Sequence, residues 1–163
     1  MGRWRPPRPK ASPYITPAGF KQLQEELDGL WLRRRDVVAA LSAAAAEGDR
    51  SENAEYIYRK KELGGIDYRI RYLQKRLPDL TIVRSTPNTD RIFFGATIKL
   101  VNEEDEEMTI RIVGPDEADS KRSAVSLDSP LAQALLKKQV DDEAEVTVEG
   151  ETVRWQVLEI SYR

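Results

Sequence analysis

Asp49 and Glu52 stand three residues apart in "EGDRSENAEY" (47–56), a stretch with four carboxylates, one arginine and no aliphatic side chain larger than alanine. Carboxylates at that spacing near a helix start can project the same way and share a hard cation. Mg²⁺ suits them, because it keeps several waters and accepts one or two protein carboxylates. Two such ligands alone hold it weakly, so the pair reads as half a metal site, to be completed by a partner or by phosphate oxygens. The same spacing admits a second reading. Asp49 can cap the following helix while Glu52, at its third position, reaches back to the Asp49 amide in a capping box. Glu55 then favours the positive end of the helix dipole. The chain has no histidine and no cysteine. Its chemistry rests on carboxylates, lysine, tyrosine and hydroxyls, which favours Mg²⁺ over zinc and makes disulfides impossible.

Two long helical patterns position these acids. After Thr16-Pro17, an N-cap followed by proline at the first helical position, Phe20, Leu23, Leu27, Leu30, Arg34, Val37, Leu41 and Ala44 alternate steps of three and four. A second seam runs through Tyr56, Arg59, Leu63, Ile66, Ile70, Leu73 and Leu77 until Pro78 ends it. Each is a coiled-coil seam with one arginine in it. Gly48 breaks the pattern between them, which predicts an antiparallel hairpin turning near residues 47–51. Thirty residues at 1.5 Å each give an arm about 45 Å long. Arg33, Arg34 and Arg35 on one helix fall level with Arg59, Lys60 and Lys61 on the other. They form a predicted basic belt where a phosphate backbone would find neutralising partners. Gly64-Gly65 falls roughly opposite Trp31, and room for the indole is a candidate reason for the pair.

The rest of the chain has a different character. Residues 1–91 carry 18 Lys/Arg against 12 Asp/Glu, and residues 92–163 carry 8 against 16. Opposed halves indicate two modules, the basic one suited to a polyanion. Strand signals recur in "FFGATIKLV", "EEMTIRIVG", "SAVSLDS" and "AEVTVEGETVRWQVLEISY", with "SPLAQALLKK" reading as a helix capped by Ser129. Trp155 reads as core, and "NEEDEE" as a solvated hairpin turn. The expected organisation is α+β: a mobile basic tail (1–15), a coiled-coil hairpin with an acidic tip (16–78), a linker (79–92) with a short strand-like piece in "PDLTIVRSTPNTDRI" (78–92), and an antiparallel sheet domain with a short helix (93–163). No apolar run approaches the roughly 18 residues needed to span a bilayer. The opening "MGRWRPPRPK" lacks the apolar core of a signal peptide. A cytoplasmic protein is expected, with no membrane partner.

"GDRSENAEY", "KKELGGIDYRIRYLQKRL", "FFGAT", "IRIVGPDEAD" and "SLDSPLAQALLKK" together resemble the Gre transcript-cleavage factors of bacterial RNA polymerase. The likeness covers about residues 14–162 and is strongest to the GreB branch. It implies an FKBP-like C-terminal domain that docks at the rim of the polymerase secondary channel, with Asp128, Ser129 and Pro130 matching the family's docking segment. It implies that the coiled coil enters the channel, and that Asp49 and Glu52 match the tip acids that help hold a second Mg²⁺ and position the attacking water. The polymerase then cuts the extruded 3′ end of its backtracked nascent RNA. On this likeness the protein is not itself an enzyme, holds no tightly bound metal when free, and is monomeric. The contrasting expectation is a non-catalytic channel binder that only inhibits or modulates the polymerase. Two positions depart from the family pattern: Gln133, where arginine is usual, and the Gly64-Gly65 pair.

Overall fold

Pro17 is the first residue of α1 (Pro17–Ala45), a helix about 44 Å long at 1.5 Å per residue. After the turn at Ala46–Gly48, where Gly48 takes φ +126°, the chain returns in α2 (Ala54–Arg76). Pro78 then tightens Leu77–Asp79 into a single 3₁₀ turn. The two seams meet as their spacing predicts. Val37, Ile66 and Ile70 are buried together, flanked by Leu27, Leu30 and Leu63. Two helices can share only one such stripe, and Trp31, Leu32, Ile57, Tyr58 and Tyr68 remain exposed around it. This computed structural model describes residues 10–48, 53–84 and 90–162. They fall into two units, Ala18–Leu80 being one and the chain through Pro17 joined with that from Thr81 onward the other.

The second unit is a five-stranded sheet in the order β5-β4-β3-β7-β6, built from β3 (Thr97–Val101), β4 (Glu107–Val113), β5 (Ala124–Ser126), β6 (Glu143–Val148) and β7 (Glu151–Ser161). Alternation along β3 and β4 sends Ile98, Leu100, Ile110 and Ile112 to one face. There they meet Ala132 and Leu135 of α3 (Pro130–Leu135), together with Ile92, Ala144 and Val157. Trp155 packs against this core as its place in the alternation predicts. Asn102 builds the acidic hairpin turn, its side-chain oxygen accepting from the Glu104 and Glu106 amides at 3.0 and 2.9 Å. Glu149 and Gly150 both have positive φ, the conformation a tight two-residue turn requires between β6 and β7.

Three expectations from sequence are corrected. The sheet is not wholly antiparallel, because β5 runs parallel to β4, Arg111 opposite Ala124. The connection through residues 114–123, with its two 3₁₀ turns, is long enough to carry the chain back before it pairs. The end of the expected tail (1–15) is a strand. Tyr14–Ile15 forms β1, parallel to β2 (Thr81–Ile82), and Ile15 is fully buried. Nor is 79–92 simply a linker: it contains β2, and Ile92 lies in the core with its amide bonded to the Lys138 carbonyl at 2.9 Å. Two-residue strands have no periodicity to read, which is why the sequence hid β1 and showed β2 only as a short strand-like piece.

The Glu117 carboxylate gathers the lead-in to α1. It accepts the Thr16 amide at 3.0 Å, the Gly114 amide at 2.8 Å and the Thr16 hydroxyl. Gly114 has to be glycine, since a Cβ there would lie 1.9 Å from the Tyr14 carbonyl oxygen. Gly64 and Gly65 are the opposite case. Both are exposed, and a Cβ at either meets nothing within 4 Å, so neither makes room for Trp31. Glycine inside a helix costs about 1 kcal/mol relative to alanine. Gly64→Ala and Gly65→Ala are therefore expected to stabilise the hairpin by about 0.5–1 kcal/mol each. Gly114→Ala is expected to destabilise the sheet unit by about 2–3 kcal/mol. Denaturant titration followed by far-UV circular dichroism measures both, and a destabilised Gly64→Ala variant would contradict the open space around that residue.

Candidate functional site

At the turn between the helices, Asn53 does two jobs. Its side-chain oxygen accepts the Tyr56 amide at 3.1 Å, capping α2, and its side-chain nitrogen donates to the Ala44 carbonyl at 2.8 Å. The first bond satisfies a free amide of α2, and the second gives the Ala44 carbonyl near the end of α1 a closer partner than the Glu47 amide, which it accepts at 3.2 Å. An aspartate could make only the first, because a carboxylate does not donate. The capping-box reading of Asp49 and Glu52 is thereby corrected: the second helix starts later than that reading needs, and its cap is Asn53. Glu55, in the first turn, keeps its place near the positive end of the dipole and also pairs with Arg59 at 2.8 Å. Asp49 and Glu52 themselves lie outside the described residues. Among the described residues no three acidic side chains gather to hold a metal ion.

The predicted basic belt divides into two sets. Arg33 donates to Glu62 through Nε and Nη2 at 2.8 and 2.6 Å, joining the helices. Arg59 donates to the other oxygen of Glu62 at 3.0 Å. Together they hold the Glu62 carboxyl below the ordinary glutamate range, the Arg33 hydrogen bond being the largest cause. Arg34 pairs with Asp67 at 2.7 Å, so the arginine that interrupts the α1 seam is neutralised across the hairpin. Further along, Arg69 forks onto Glu26 at 2.6 and 2.9 Å and lowers its pKa in the same way. Arg33 and Arg34 thus fix register, while Arg59, bonded to Glu55 and Glu62 within α2, holds Glu62 for Arg33. Arg35, Lys60 and Lys61 are exposed and make no ion pair among the described residues. Those three carry the uncompensated positive charge of the belt. Sequence position put six cations at one level but could not separate the two sets, because the acids that neutralise half of them come mainly from the opposite helix or the next turn.

The third cluster is the loop before α3. Ser129 caps that helix, its hydroxyl accepting the Ala132 amide at 3.2 Å, and Pro130 is its first residue. Asp128 is exposed. Its amide donates to the Ser126 hydroxyl at 3.0 Å, and its carboxylate accepts from the Ser12 amide at 2.8 Å and from the Ser12 hydroxyl. Gln133 reaches back to the Leu127 carbonyl at 2.7 Å, bracing the same loop. Ser12 and Asn53 were missed by sequence reasoning, and Gln133 was singled out there only as a departure from the family pattern. Of the two missed, only Asn53 carried a signal, as an N-cap residue type placed directly before a helical pattern.

Comparison with known proteins follows the same division of the chain. The family model described as Transcription elongation factor, N-terminal, GreA_GreB_N, matches residues 13–82, and that described as Transcription elongation factor, GreA/GreB, C-term, matches residues 86–162. The chain belongs to the GreA/GreB family of transcription elongation factors. It is 53% identical to Transcription elongation factor GreB of Xanthomonas axonopodis pv. citri, over 99% of this chain and 98% of that protein. It is 49% identical to GreB of Pseudomonas aeruginosa over the same shares, and 52% identical to GreB of Yersinia pestis over 93% of this chain and 90% of that one. A GreA/GreB factor structure from Nitrosomonas europaea aligns at 18% identity with TM-score 0.42, over 95% of this chain and all of that one. The α+β composition, a helical hairpin followed by a sheet domain, is the one the Gre resemblance implied. No helix among the described residues is long and apolar enough to cross a membrane.

For this Gre-family hairpin, the Asn53 bridge has a measurable consequence. Asn53→Ala removes both the cap and the link to Ala44, and is expected to cost about 2 kcal/mol. Asn53→Asp keeps the cap but sets a carboxylate against the Ala44 carbonyl, so it is expected to lie below the parent despite aspartate's equal standing as a cap. Equal melting of Asn53→Asp and parent would show that the bond to Ala44 contributes nothing.

Proposed function

We propose that this chain is a transcript-cleavage factor: it binds bacterial RNA polymerase, enters the secondary channel with its helical hairpin, and brings Asp49 and Glu52 to the polymerase active centre. There the extruded 3′ end of a backtracked nascent RNA is cut and elongation resumes. Membership of an elongation-factor family supports polymerase as the partner. The observation that carries the chemical part is the Asn53 cap, because the second helix has its cap without either acid. Two carboxylates at a tip are then better explained by what they meet than by the fold.

In this reading Asp49 and Glu52 orient the attacking water and accept its hydrogen bonds, work suited to ionised carboxylates at neutral pH. They would also hold Mg²⁺ jointly with carboxylates of the polymerase, a hard-cation site their oxygen donors suit; a Mg²⁺ bound there supplies charge stabilisation at the attacking and leaving oxygens. Arg35, Lys60 and Lys61 hold the phosphates of extruded RNA along the hairpin. Asp128, Ser129 and Pro130 dock the sheet domain at the channel rim. The chain is not an enzyme by itself, since the nuclease centre belongs to the polymerase. It works as a monomer in the bacterial cytoplasm, where that polymerase is.

Asp49→Asn and Glu52→Gln test the chemical part. Both variants are expected to melt with the parent and to keep their affinity for polymerase, while cleavage of labelled RNA in a stalled, backtracked complex falls at least about a hundredfold, the order expected for losing a positioned acid–base group. Raised Mg²⁺ should restore part of the loss. Normal cleavage by the double variant would leave a channel binder without chemistry.

The belt makes a separate prediction. Lys60→Ala with Lys61→Ala is expected to reduce cleavage in deeply backtracked complexes several-fold more than in shallow ones, with unchanged melting. The salt dependence of binding to the deeply backtracked complex should fall by about 0.7 in log–log slope for each RNA phosphate that the variant no longer neutralises. An equal loss at both depths would mark these lysines as solvated surface.

A further inference from the structure

Asp128 is an exposed carboxylate with no lysine or arginine paired to it among the described residues, yet it is not left to rotate. Ser12 engages both of its oxygens, the main-chain amide on Oδ2 at 2.8 Å and the hydroxyl on Oδ1. A carboxylate has about four acceptor positions. Ser12 occupies one on each oxygen and leaves the others for a cation or amide from outside. Ser12 is itself well placed to hold firm. The adjacent Pro13 carbonyl accepts the Thr81 amide at 2.6 Å, β1 pairs with β2, and Thr16 is bound by Glu117. The loop on the other side is braced by Gln133 on the Leu127 carbonyl and by the Ser126 hydroxyl on the Asp128 amide.

We propose that Ser12 is a positioning residue for polymerase docking: it fixes the Asp128 carboxylate in one orientation, so that its remaining acceptor positions meet a basic side chain on the polymerase. The inference rests on the docking role proposed above for Asp128. It extends the docking site to the residues preceding α1, which the sequence reads as a tail. Fixing an exposed side chain before binding removes an ordering cost that association otherwise meets. Only a rigid carboxylate offers a guanidinium or ammonium the same geometry at every encounter.

The test is a double-mutant cycle on the full chain, read as affinity for core RNA polymerase. Ser12→Ala deletes the hydroxyl bond and keeps the main-chain one. It is expected to weaken binding by about three- to tenfold, the scale of one hydrogen bond, with melting unchanged because the bond lies at the surface. Ser12→Thr, which keeps the hydroxyl, is expected to restore most of the affinity. Asp128→Asn is expected to weaken binding more, and adding Ser12→Ala to it should cost nothing further. Additive losses, unchanged affinity or tighter binding for Ser12→Ala, in a chain where Asp128→Asn does weaken binding, would overturn the positioning role. Unchanged affinity for Asp128→Asn would instead overturn the docking assignment beneath it.

Discussion

Two helices packed on each other have one shared face, and the hairpin is organised around that limit. Its buried stripe is narrow, Leu23, Val37 and Ala44 of α1 with Ile66, Ile70 and Leu73 of α2, and each large side chain in it contributes only roughly 1.5–3 kcal/mol. A narrow apolar seam holds helices together but specifies register poorly, since a slip of one turn still places aliphatic side chains against each other. The polar links supply what the seam lacks. Arg33 on Glu62, Arg34 on Asp67, Arg69 on Glu26 and Asn53 on the Ala44 carbonyl each cross the hairpin at a different level. Surface ion pairs add little stability individually. Their geometry still favours one alignment over its neighbours.

The same limit explains the division of labour among the cations. Each arginine that crosses the hairpin is matched by an acid on the other helix. Arg35, Lys60 and Lys61 add charge without a structural duty. They are the positions at which long-range attraction can be altered with the fold left alone. The exposed Trp31, Ile57, Tyr58 and Tyr68 follow from the same geometry, because a two-helix unit has no second layer to cover them.

In the sheet unit the organising groups are two carboxylates that bind the lead-in to α1. Glu117 holds Thr16 and the Gly114 amide, and Asp128 holds Ser12. Residues separated by more than a hundred positions are thereby fixed to one another. The Ser126–Pro130 loop is stiffened from both sides, by Ser12 and by Gln133. A loop held in this way is suited to recognition, since its polar groups do not have to be ordered when a partner arrives.

The sequence by itself determined the helices, their seams, the α3 cap at Ser129, most strands and the family, because each depends on local spacing or on a contiguous motif. It also marked Asp49 and Glu52 as the paired acids. Periodicity reports which face of an element is apolar, and short motifs report caps and turns. Neither reports which distant polar group completes a bond. That is why the tertiary structure alone decided that Asn53 rather than Asp49 caps α2, that half of the basic belt is neutralised, and that β5 lies parallel to β4. It alone decided that residues 12–16 belong to the sheet unit, since the strand they form is too short to show a pattern and its partners lie far along the chain. Gln133 shows the difference in one side chain: as a sequence position it was a departure from a family pattern, and in the fold it braces the loop that carries Asp128.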